Sequence, residues 1–141
     1  MTLRRRVQHG SDGSVSEFSE SHFMTTILII DDSQLARNMV SGMVRGARPE
    51  WQIVTAKNAD DALEKVAEVT PDVAIVDFNM PGMDGLNLSC ELHSRFPDLD
   101  ISILTANVQD SIRRKVNDKG FRFVEKPITP DKMRDLLASI P

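Results

Sequence analysis

From Thr25 onward the chain alternates two kinds of hydrophobic spacing. Short, continuous and mostly β-branched apolar runs predict five strands: Ile27-Leu28-Ile29-Ile30, Gln52-Ile53-Val54-Thr55, Val73-Ala74-Ile75-Val76, Ile101-Ser102-Ile103-Leu104-Thr105 and Phe121-Arg122-Phe123-Val124. Helical spacing fills the gaps. Leu35, Met39 and Met43, with Val40 and Val44 beside them, predict a helix with one buried face. Asp32 or Ser33 caps it, and Gly46 with Pro49 helps to end it. Asn58 caps a second helix whose Ala59, Ala62, Leu63, Val66 and Ala67 share a face. Asp84 caps a third, carrying Leu88, Leu92 and Phe96, and Pro97 stops it. Val108, Ile112 and Val116 mark a fourth that closes at Gly120. Thr129-Pro130 is an N-cap followed by proline at the first helical position, and Met133, Leu136, Leu137 and Ile140 bury the fifth.

Strands alternating with helices imply an α/β fold, a doubly wound parallel sheet covered on both faces. The flavodoxin-like order 2-1-3-4-5 has its switch point between strands one and three, where ligands bind beyond the carboxyl ends. Strand one runs into Asp31-Asp32, and strand three runs into Asp77 before Met80-Pro81-Gly82 turns the chain away. The topology therefore gathers three acidic residues in one crevice.

Composition narrows the function classes. A chain of 141 residues, 40% hydrophobic and 27% charged, fits one soluble globular domain. A formal net charge of −4 argues against a general nucleic-acid surface, and no apolar run approaches membrane-spanning length. Cys90 is the single cysteine, which excludes an internal disulfide and a multi-cysteine zinc site. No apolar signal core follows Arg4-Arg5-Arg6, so the protein is expected to be cytoplasmic. Residues 1–24 are small and polar and read as a flexible tail; 25–141 form the domain.

Three crowded carboxylates repel one another, and a divalent cation removes the conflict. An all-oxygen site that keeps several waters suits Mg²⁺, especially where phosphate completes the shell. Lys126 leaves strand five toward the same edge and Thr105 offers a hydroxyl from the end of strand four. Taken singly, Asp31 and Asp32 are explained as helix caps, Asp77 as a turn aspartate, Thr105 as a strand end and Lys126 as a surface charge. Taken together at one sheet edge, a carboxylate nucleophile, a metal, a lysine and a hydroxyl make a phosphoryl-transfer site.

These residues resemble the receiver domain of the bacterial response-regulator family, in particular the stand-alone, chemotaxis-regulator type. The resemblance rests on Asp31-Asp32, on Asp77 within Asp77-Phe78-Asn79-Met80-Pro81-Gly82-Met83-Asp84-Gly85, on Thr105-Ala106 and on Lys126-Pro127. It implies that Asp77 accepts a phosphoryl group from a phosphohistidine on a histidine kinase or a histidine phosphotransfer protein. It implies that Asp32, Asp77 and the Asn79 carbonyl bind Mg²⁺, with Asp31 helping through water. Thr105, the Ala106 N–H and Lys126 would contact the phosphoryl oxygens. Thr105 and Phe123 would act as the switch, and the Lys126–Pro127 bond would be cis. Asn79 and Asn107 stand where the family controls access of water to the phosphoryl group. The output surface would be the fourth helix, fifth strand and fifth helix. Arg113, Arg114, Lys115 and Lys119 make that fourth helix basic, a docking face or a solvated one.

The expected role is phosphorylation-dependent protein contact, in a two-component system or phosphorelay. No turnover of an external substrate, no direct nucleic-acid binding and no membrane contact are expected. The chain stops beside the fifth helix, which favours a stand-alone receiver; the alternative is a receiver fragment of a longer transcription factor or signalling enzyme. An aspartyl-phosphate phosphatase is disfavoured because Asn79 stands where such enzymes carry a second acid. A flavodoxin-like nucleotide binder is disfavoured by the acidic crevice and by the lack of a glycine-rich loop after strand one.

Overall fold

The computed structural model describes residues 24–140. The expected tail, Met24 apart, and Pro141 lie outside the described residues. Five strands alternate with five helices: β1 (Thr26–Ile30), α1 (Gln34–Ala47), β2 (Gln52–Ala56), α2 (Ala59–Val66), β3 (Val73–Asp77), α3 (Gly85–Arg95), β4 (Asp100–Thr105), α4 (Asp110–Asp118), β5 (Arg122–Glu125) and α5 (Pro130–Ala138). The strands form one parallel sheet in the order β2-β1-β3-β4-β5. This is the flavodoxin-like order expected for the sheet.

Period-two geometry sends successive strand residues to opposite faces, so the sheet has two cores. On one face Leu28, Ile30, Ala74, Val76, Ile101 and Ile103 pack against α2, α3 and α4 through Ala62, Val66, Leu88, Leu92 and Val116. On the other, Ile27, Ile29, Val73, Ile75 and Leu104 pack against α1 and α5 through Val40, Val44, Met133, Leu136 and Leu137. With both faces covered, β1 and β3 carry no exposed residue at all.

The helix starts follow from local chemistry. The side chains of Ser33, Asn58, Asp84 and Thr129 each accept a backbone N–H from the first turn they cap, at 3.1, 2.8, 2.8 and 3.1 Å. Ser33, rather than Asp32, caps α1. Gly82 and Gly120 take positive φ, 80° and 85°, in the turns after β3 and α4.

Three expected faces differ. In α1 the buried residues are Val40, Ser41 and Val44, while Leu35 and Met39 are 70% and 54% exposed. The helix carries two apolar stripes about 100° apart, and the one that meets α5 and the sheet holds the two valines. Ala67 falls beyond the end of α2 and is exposed. Val108 precedes α4 and is also exposed, so Ile112 and Val116 alone anchor that helix.

Candidate functional site

The carboxyl ends of β1 and β3 lie side by side, because Ile30 pairs with Val76. Each strand delivers one buried carboxylate there, Asp31 and Asp77, both 4% exposed. Asp32 follows on the exposed rim. One oxygen from each of Asp31, Asp32 and Asp77 lies within 4.8 Å of the others. Lys126 enters from the end of β5. Its Nζ lies 2.9 Å from Asp77 Oδ1 and 3.7 Å from Asp31 Oδ2. The Lys126–Pro127 bond is cis.

Backbone contacts fix these groups. Asp31 donates its N–H to Ala56 O at 3.1 Å and accepts at Oδ1 from the Ser33 N–H at 2.9 Å. The Asn79 backbone amide lies near the Asp77 carboxylate and favours its charged form. Thr105, fully buried at the end of β4, accepts at Oγ1 from the Asn107 N–H at 2.9 Å, which leaves its O–H as a donor. The Lys126 N–H donates to Thr105 O at 2.9 Å and so ties β5 to β4 beside the crevice. Ala106 is the exposed residue immediately after Thr105. Phe123 stands on β5, half-buried, with the Arg113 guanidinium 4.4 Å above its ring.

Two residues of this neighbourhood carry no signal in the spacing of chemical groups. Gly85 opens α3 and donates its N–H to Phe78 O at 2.9 Å. A Cβ there would sit 2.2 Å from Asp77 O, so a side chain is excluded where α3 meets the end of β3. A glycine where a helix former would normally begin a helix is the one hint of this. Arg37 reaches back from α1 and donates from Nη1 to the Asp31 carbonyl at 2.6 Å.

The electrostatics are those of a site that wants more positive charge. Burial, and then the neighbouring Asp31 charge, push the Asp77 carboxyl above its ordinary range, although Lys126 and the Asn79 N–H pull the other way. For Lys126, burial works against the ammonium. The hydrogen bond and charge of Asp77, with Asp31 behind them, outweigh it and hold the amine above its ordinary value. One ammonium faces three carboxylates, and the donors are all oxygen. That donor set fits a hard divalent cation that keeps part of its water shell.

Residues 27–138 match the family model described as the response regulator receiver domain. The chain belongs to the response regulator receiver domain family. Among its relatives, the chemotaxis protein CheY of Listeria monocytogenes is 29% identical over 116 residues, 81% of this chain and 96% of that protein. A protein-glutamate methylesterase/protein-glutamine glutaminase of Hydrogenovibrio crunogenus is 38% identical over 105 residues, 72% of this chain but 27% of that longer protein. The crystal structure of TrrA from Thermotoga maritima in complex with Mg(2+)-BeF superposes with a TM-score of 0.72 at 26% identity, covering 84% of this chain and all of that one. The receiver is thus a phosphoacceptor signalling module, of the kind found alone and joined to effector domains. Among the described residues no helix is long and apolar enough to cross a membrane.

Proposed function

We propose that Asp77 is the phosphoryl acceptor of this receiver and that a phosphohistidine, on a histidine kinase or a histidine phosphotransfer protein, is the donor. The carrying observation is the Asp77 carboxylate at the buried end of β3, 2.9 Å from Lys126 and grouped with Asp31 and Asp32. An Asp77 oxygen attacks phosphorus as the bond from phosphorus to the donor imidazole breaks. The imidazole nitrogen keeps the electron pair. Water later attacks the phosphorus, the new P–O bond breaks, and the carboxylate and inorganic phosphate are released.

Asp32, Asp77 and the Asn79 carbonyl would hold Mg²⁺, with Asp31 helping through water. When bound, the ion neutralises the carboxylates and the incoming phosphoryl oxygens. Lys126, the Thr105 hydroxyl and the Ala106 N–H bind those oxygens, in a reaction governed by positioning and charge. Lys126 exchanges its contact with Asp77 for one with the phosphoryl group. Thr105 moves toward that group and Phe123 turns inward, which alters the face formed by α4, β5 and α5. A groove of about 730 Å³ along that face, lined by Arg113, Phe123, Lys132 and Leu136 among others, gives a downstream protein a place to bind. The donor protein is received on the other side of the crevice, where Leu35 and Met39 of α1 are exposed close to Asp32 in the chain. No turnover of an external substrate is part of this role.

The test is intact-mass analysis after incubation with acetyl phosphate. Wild type gains one phosphoryl group in the presence of Mg²⁺ and none after chelation, and Asp77→Asn gains none. Equal labelling of Asp77→Asn would remove the assignment. The longer relatives give a second reading of the same module, as the receiver portion of a larger regulator. The length of the natural reading frame separates the two.

A further inference from the structure

Arg37 sits at the start of α1, half-buried, where helix-end electrostatics disfavour a cation. Among the described residues it makes no ion pair. The one hydrogen bond of its side chain among the described residues, 2.6 Å from Nη1 to the Asp31 carbonyl, points back toward the acidic crevice. That carbonyl belongs to the peptide joining Asp31 to Asp32. A peptide unit is planar, so holding its oxygen also holds the plane from which the Asp32 Cα projects. Asp31 is already tethered through its N–H to Ala56 and through its carboxylate to Ser33. Asp32 is exposed and has no hydrogen-bonded tether of its own among the described residues.

We infer that Arg37 is a positioning residue for the divalent-cation site: it clamps the Asp31–Asp32 peptide so that the Asp32 carboxylate is presented beside Asp31 and Asp77. This rests on the reading of that crevice as a Mg²⁺ site. A second effect of the same side chain has the opposite sign. Its positive charge repels a cation, and losing it would tighten Mg²⁺ binding by roughly two- to threefold through solvent. Groups that orient metal ligands change affinity by about tenfold or more when removed. The clamp therefore dominates, and the sign of the change identifies it.

The experiment is Mg²⁺ titration of the metal-free protein, followed by calorimetry and by the amide resonances of residues 31–33, with no phosphoryl donor present. Wild type, Arg37→Met and Arg37→Lys are compared, with thermal melts alongside. Arg37→Met is expected to bind Mg²⁺ about tenfold more weakly, and Arg37→Lys, which keeps a charged donor, to recover part of the loss. With acetyl phosphate, the Mg²⁺ needed for half-maximal labelling shifts by the same factor, while the rate at saturating Mg²⁺ stays within about twofold. Unchanged or tighter Mg²⁺ binding in Arg37→Met, with or without a lower melting temperature, overturns the inference and leaves the site reading intact. Wild-type protein that binds no Mg²⁺ removes the site reading, and the inference with it.

Discussion

Replacing Gly85 with alanine sets two elementary effects against each other. Helix propensity alone makes Gly→Ala in a helix favourable by up to about 1 kcal/mol. The structure opposes it. A Cβ at residue 85 would lie 2.2 Å from Asp77 O, 2.8 Å from Phe78 Cα and 2.9 Å from Asp77 C. All three are backbone atoms, at the end of a strand bonded to β1 on one side and β4 on the other. Relief needs a shift of more than 1 Å relative to ordinary contact, and it also breaks the 2.9 Å bond from Gly85 N–H to Phe78 O. Overpacking costs about 1–3 kcal/mol and a lost buried hydrogen bond about 1–3 kcal/mol. Set against the propensity gain, Gly85→Ala is expected to destabilise by about 1–5 kcal/mol. Gly42, inside α1 with nothing within 4 Å of its Cβ position, is the control. There the same substitution is expected to stabilise by about 0.5–1 kcal/mol. Urea melts of both variants measure the difference. Gly85→Ala within about 0.5 kcal/mol of wild type, or Gly42→Ala destabilised to the same degree as Gly85→Ala, would refute the close-approach argument.

Further outcomes follow from the same geometry. The raised native pKa of Asp77 means that the folded state prefers the protonated acid. Its contribution to stability is therefore complete below the ordinary value of 3.8 and is lost as pH rises through the native pKa. Metal-free Asp77→Asn should accordingly be more stable than wild type at pH 7, with the gap closing on acidification; a less stable variant in urea melts at pH 7 would contradict this. Lys126→Met leaves Asp77 and Asp31 without their shared ammonium. The variant should lose stability at neutral pH, regain most of it in Mg²⁺, and label with acetyl phosphate at least tenfold more slowly, as read by melts and intact mass. Leu35→Ala and Met39→Ala alter exposed side chains and should leave stability within about 0.5 kcal/mol. They should slow phosphotransfer from a protein donor while labelling by acetyl phosphate is unchanged.

Most of the fold was legible because its signals are local. Each strand is a short apolar run, and Asn58, Asp84 and Thr129-Pro130 cap their helices through contacts spanning three residues. The gathering of Asp31, Asp32, Asp77 and Lys126 was legible too, since strand ends in a 2-1-3-4-5 sheet meet at known places. What stayed hidden depends on packing. Leu35-Met39 and Val40-Val44 are both credible apolar stripes, and only contact with α5 and the sheet decides between them. Gly85 and Arg37 act on backbone atoms, of Asp77 and Asp31 respectively, and no spacing of chemical side chains announces such contacts.

Asp77 as the phosphoryl acceptor is the central proposal. Its most direct test is to phosphorylate the wild-type receiver with acetyl phosphate and Mg²⁺, reduce the acyl phosphate with borohydride, and locate the resulting homoserine by peptide mass mapping. Conversion at position 77 alone is the expected result. Conversion at Asp31 or Asp32 instead, or none in folded protein carrying Mg²⁺, would contradict it.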